Sequence, residues 1–153
     1  MQAFLMPLVL LVNGLSAGVL VGSQLGGFPL MVSLPADRYV YTHAFFSTRY
    51  DPFMPICLVG TVCGDVALAL LTGDGNARLC YVIAAALALA TVVVSVTKNV
   101  PINKWVQKLD PQQLPAGFDP DSRRLSWGRW NLTRSWLAVG ALLANCAALG
   151  VLL

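Results

Sequence analysis

Four apolar segments, Ala3 to Leu25, Pro55 to Leu71, Leu79 to Val96 and Trp136 to Leu153, decide what this chain can fold into. Each holds at least about 17 residues, close to the roughly 20 that a helix needs to cross a bilayer. Inside hydrocarbon every backbone N–H and C=O must find a partner within the protein, and a helix supplies those partners segment by segment. The sequence therefore predicts an all-α fold: a transmembrane four-helix bundle forming one integral membrane domain over residues 1–153. The first segment lacks a basic start and stays apolar well beyond a signal-peptide core, so it reads as the first span.

Where the charges fall predicts the orientation. Four spans put the first and third loops on one side, with Arg38, Arg49, Lys98, Lys104, Lys108, Arg123, Arg124, Arg129 and Arg134, and leave only Arg78 on the other. Such a bias marks the cytoplasmic side, so both long loops are expected in the cytoplasm and both termini outside. These residues adjoin spans rather than forming a soluble basic face, which points to the lipid bilayer and away from nucleic acid. The chain has no glutamate and one histidine, which rules out multi-histidine and glutamate metal sites. Cys57, Cys63, Cys80 and Cys146 form no C-x-x-C pair and read as small buried hydrophobes.

Chemistry-bearing residues gather in the polar stretch from Lys98 to Trp136. Pro101 should end the third span, leaving Asn99 and Asn103 on either side of the break, and Lys104 to Ser126, rich in proline, should be a loop with at most an amphipathic turn. Trp127, Trp130, Asn131 and Arg134 then follow at i, i+3, i+4 and i+7, one face of a helix. Arg134 is an interface anchor or part of a site. Asn131-Leu132-Thr133 matches a glycosylation sequon, which its expected cytoplasmic placement makes accidental.

Between the first two spans, Pro35 and Asp37 suit the start of a short helix on which Tyr39, His43 and Phe46 share a face. His43 reads as an interfacial histidine, as a base near neutral pH, or, least readily, as a metal or haem ligand. Asp51 should cap the second span or pair with Arg49. Within that span Cys57, Thr61 and Asp65 line one face, and Asp65 is either a functional acid or interhelical glue to Asn13 or Asn145. Thr91, Ser95 and Asn99 form a similar line on the third span. Gly14, Gly18, Gly22 and Gly26 make a smooth ridge on the first, against which another helix, including one from a second copy, could pack closely. Polar groups from all four spans thus converge on an apolar interior, the setting for a small hydrophobic aromatic ligand.

The four-span plan, the N-V-P-I-N turn after the third span and the W-x-x-W-N-x-x-R entry to the fourth resemble the anthrone oxygenase-like family of small integral membrane proteins, along essentially the whole chain. In that family the last motif commonly reads W-x-x-x-H-x-x-R, with Asn131 here in the histidine place. The resemblance implies oxidation of a polyketide anthrone by O2 without metal or flavin, with His43 as base, Arg134, Asn99 and Asn103 as donors to the enolate, and Trp127 and Trp130 against a flat ring. Asn131, Asp65 and Tyr39 complete the expected substrate contacts. The alternatives are a cyclase or other acid-base tailoring enzyme, or a non-enzymatic binder or scaffold assembled through Gly14, Gly18 and Gly22. No internal repeat favours a transporter.

Overall fold

A computed structural model describes residues 2–153. Five helices are named here in chain order: α1 (Gln2–Ser33), α2 (Ala36–Arg49), α3 (Phe53–Leu71), α4 (Gly75–Val106) and α5 (Asp121–Leu152). All but α2 are long and apolar enough to cross a membrane. α1 packs on α3 and α5, and α4 packs on the same two, which closes a four-helix ring. The chain is an all-α bundle compatible with a transmembrane protein, and its four cysteines remain free thiols.

Helix lengths explain where space opens in this ring. α1, α4 and α5 each run 32 residues, a rise of about 48 Å, against roughly 30 Å of hydrocarbon. α3 has only 19 residues and stops short at the loop end. α2 fills that gap with its buried face of Tyr39, Val40, His43 and Ser47. The opposite end is a tight turn in which the Asp74 carboxylate accepts from the Asn76 and Ala77 amides, both at 2.8 Å, and caps α4. Arg78 there donates to the Ala69 and Thr72 carbonyls, satisfying the last turn of α3.

Pro101 does not end the third span. A π turn over Ser95–Asn99 precedes it, with the Val100 amide donating to the Ser95 carbonyl, and the helix continues to Val106. Proline lacks an N–H and crowds the preceding turn, and a π turn opens the ladder where that misfit falls. α1 repeats the device: a π turn over Ser23–Gly27, with the Phe28 amide on the Ser23 carbonyl, comes just before Pro29. Each turn absorbs one extra residue. Ser95 and Asn103 would lie about 80° apart on an ideal helix, and the extra residue brings them within about 20° of one face.

The expected loop is shorter than the sequence suggested, because α5 begins at Asp121 rather than near Trp127. The Asp119 carboxylate accepts from the Asp121 amide at 2.8 Å and starts that helix. Residues 107–120 fold back on α4 through Trp105 stacked on Phe118, their ring centroids 5.9 Å apart, with Arg123 over the indole. Gly117 turns this loop at a φ of 74°, open to glycine and strained for other residues.

The glycine ridge of α1 meets nothing within the bundle: a Cβ at Gly14, Gly18, Gly22 or Gly26 would have no neighbour within 4 Å. Close approach is used elsewhere. A Cβ on Gly128 would run into the Phe28 ring, and one on Gly64 into Val9.

Candidate functional site

The overhanging ends of the long helices enclose a cavity of about 500 Å³, within the range of small-molecule sites. Its walls are largely apolar, from Val19, Leu20 and Met31 on α1, Phe46 on α2, Met54 and Leu58 on α3, and Val92 and Val100 on α4. His43, Asn103, Trp127 and Arg134 bring polar atoms to it, with Ser23 and Ser95 from the two π turns. Asp51, Lys104 and Gln107 line it and are exposed, which makes a polar mouth. Val59 and Val96 also line it while 51% and 58% exposed, so the cavity also reaches the exposed apolar surface between α3 and α4.

One buried hydrogen-bond chain organises the inner wall. The Trp127 indole Nε1–H donates to Asn103 Oδ1 at 2.8 Å, and the same oxygen lies 2.9 Å from His43 Nε2. His43 Nδ1 is 3.0 Å from the Tyr39 hydroxyl. Trp127 also packs against the imidazole, with centroids 5.1 Å apart at 68°. Burial holds the His43 pKa below its ordinary value; the Asn103 hydrogen bond opposes this and nearby Arg134 reinforces it. The imidazole is therefore neutral at pH 7. Burial also pushes the Tyr39 hydroxyl up to about 12, with Arg124 opposing, so it keeps its proton.

Arg134 enters the cavity from α5 with no carboxylate partner among the described residues. Its Nε and Nη2 donate to Asn131 Oδ1 at 3.1 and 2.9 Å, and its Nη1 donates to Ser95 Oγ at 3.2 Å. Asn131 is held in turn by α1, its Nδ2 donating to Gln24 Oε1 at 2.8 Å and Ser23 Oγ at 3.2 Å. Three of five guanidinium N–H groups are engaged and two remain. A cation held only by neutral oxygens beside an apolar cavity is a ready partner for an anionic oxygen.

The structure brings His43, Asn103, Trp127 and Arg134 together and separates the other expected site residues. Asn99 is buried outside the cavity wall, where its Nδ2 donates to the Trp127 carbonyl at 3.1 Å. Tyr39 and Asn131 stand behind the wall, each holding a residue that lines it. Trp130 faces outward beneath Lys98, whose Nζ is 5.1 Å from the ring centroid. Asp65 lies fully buried in α3 away from the cavity, with Asn145 and Tyr81 beside it. Asn145 donates to Asn13 Oδ1 at 3.1 Å and joins α5 to α1. The buried Asn131 is no glycosylation acceptor.

Asp51 is a correction. It neither caps α3, whose N-terminus has no side-chain cap, nor forms an ion pair with Arg49; it lines the cavity mouth. Its place there comes from the bend between α2 and α3, which no local spacing announces. Gln107 also lines the mouth without any spacing that announces it, whereas Ser95 reaches the cavity from the polar line it forms with Thr91 and Asn99. Among the described residues no three His, Cys, Asp or Glu side chains cluster as metal ligands.

Residues 43–144, more than half of the chain, match the anthrone oxygenase family. The matched region opens at His43 and takes in Asn103, Trp127 and Arg134. Neither the curated proteins nor the solved structures give a match. A membrane-compatible bundle, a cavity carrying these residues and the family match lead to one assignment: the chain belongs to the anthrone oxygenase family.

Proposed function

We propose that this protein is a membrane-embedded tailoring enzyme that oxygenates a flat, hydrophobic polyketide ketone of the anthrone type, using O2 and no metal or organic cofactor. The observation that carries this reading is the pairing of a neutral imidazole with an uncompensated guanidinium on the wall of one apolar cavity. His43 removes a proton from the benzylic CH2 of the substrate, and the electron pair moves onto the ring carbonyl as an enolate. The two spare N–H groups of Arg134 and the Asn103 Nδ2 amide, which makes no hydrogen bond within the described chain, donate to that oxygen. The carbanion passes one electron to O2, the radical pair joins as a hydroperoxide, and loss of water leaves a new C=O. The CH2 group and O2 thus become a carbonyl and water.

Trp127 and Phe46 offer aromatic surface to a planar ligand. The opening at Val59 and Val96 suits a substrate that arrives dissolved in lipid. The basic residues of the first and third loops support a cytoplasmic cavity mouth.

Oxygen uptake and quinone formation by the detergent-purified protein with emodin anthrone, after chelation and metal analysis, test the proposal. Turnover in metal-free wild type and its loss in His43→Ala are the expected results. A folded, metal-free protein that leaves the anthrone unchanged would overturn the oxygenase reading.

A further inference from the structure

The hydrogen bonds around His43 fix more than its position. An indole N–H can only donate, so the Asn103 atom 2.8 Å from Trp127 Nε1 is the amide oxygen and not the nitrogen. That oxygen cannot donate to His43 Nε2, which lies 2.9 Å from it. Nε2 must therefore carry the hydrogen, and in the neutral ring Nδ1 is the bare nitrogen, accepting from the Tyr39 hydroxyl at 3.0 Å. The histidine thus presents a donor toward Asn103 and the cavity, while its basic nitrogen is covered by Tyr39.

We propose that Trp127, through Asn103, holds His43 in the Nε2–H tautomer until a ligand engages Asn103, and that Tyr39 is the positioning residue that lets the ring exchange to the base-competent Nδ1–H tautomer. This rests on the proposed role of His43 as base. A ligand hydroxyl that donates to Asn103 Oδ1 displaces the imidazole, as the phenol of a polyketide ring would. One proton then leaves Nε2 and one arrives at Nδ1, carried by water, with the ring neutral throughout. The Tyr39 hydroxyl serves both states because it donates to a bare Nδ1 and accepts from an Nδ1–H. No other hydrogen bond of that hydroxyl competes among the described residues. The arrangement would keep the base masked until a substrate hydroxyl reaches Asn103.

The chain has one histidine, so the full protein labelled with 15N-histidine gives one pair of ring nitrogens. Long-range proton-nitrogen NMR in micelles at pH 8 distinguishes a protonated ring nitrogen from a bare one. In wild type Nε2 should show the protonated-type shift and Nδ1 the bare type; the reverse would overturn the inference. Trp127→Phe frees the Asn103 amide to turn over and offer its NH2 to Nε2, so the two shifts should exchange. Should that variant not fold, Asn103→Leu removes the acceptor and should move both shifts toward intermediate values. An unchanged spectrum in whichever variant folds would refute the lock. Tyr39→Phe should keep the wild-type shifts yet lower kcat at least about tenfold with KM held; full activity would remove Tyr39 from the scheme. The shifts are read without substrate, so a correct tautomer with no turnover would count against the oxygenase reading alone.

Discussion

Arg134→Met should separate activity from stability. Methionine approximates the arginine stem and removes the charge. The lost bonds end on Asn131 Oδ1 and Ser95 Oγ, which are neutral, so no unpaired carboxylate is left behind. Ser95 still donates to the Thr91 carbonyl at 2.7 Å, whereas Asn131 Oδ1 keeps only the Ser23 hydroxyl, 3.4 Å away and already donating to the Leu20 carbonyl at 2.9 Å, an orphaned acceptor that costs about 1–3 kcal/mol. Removing one partner of a buried ion pair usually costs about 3–5 kcal/mol because the other charge is stranded. Here no charge is stranded, and relief of the half-buried cation's desolvation offsets the orphaned acceptor. The midpoint of thermal unfolding should stay close to that of wild type. Catalysis should suffer, since loss of one oxyanion donor lowers kcat by about 10²–10³. The assay is oxygen uptake with an anthrone beside a thermal melt in the same detergent. A variant that melts early but turns over normally would refute the reasoning and make Arg134 a strut.

His43 sets the pH response. Its folded pKa lies below the ordinary value near 6.5, so the base form is full at pH 7 and kcat should fall only on acidification below about that value. Its share of stability has the same sign: the unfolded chain binds the proton more readily, so stability is intact above about 6.5 and is lost as pH falls through the folded pKa. His43→Asn should flatten that acid limb in a melt series. Val59→Trp and Val96→Trp narrow the side opening and should raise KM for an anthrone with little change in kcat; unchanged KM in both would rule out entry through that side. Gly128→Ala drives a methyl group into Phe28 and should destabilise the bundle by about 1–3 kcal/mol, whereas Gly18→Ala, facing open space, should not.

How far the sequence exposed this site depended on the kind of information each residue carried. Spans are written in hydropathy, and all four were legible. The face of Tyr39, His43 and Phe46 was legible because α2 is regular and amphipathic. On α5 the i, i+3, i+4, i+7 spacing was right, but it spans about 100° of the helix surface, wider than the cavity wall. Trp127 and Arg134 fall inside it, Asn131 turns toward α1, and Trp130 turns out to Lys98. Pro101 misled for a different reason: a π turn is one residue of surplus length with no composition of its own, so proline alone reads as a stop. Depth alone did not say which polar cluster Asp65 joins: its neighbours Tyr81 and Asn145 come from α4 and α5, remote in the chain.

The two π turns make this site a matter of chain length as much as of side chains. Removing Thr97 or Lys98 from the π turn would let α4 close up as an ordinary helix. The span would shorten by only about 1.5 Å, yet everything beyond the cut would swing by about 100°. Asn103 would leave the cavity, and with it the grip on Trp127 and His43. A one-residue deletion is thus the smallest edit that dismantles the pocket while sparing every residue named for chemistry, and homologues with a gap there should be expected to have a different activity or none.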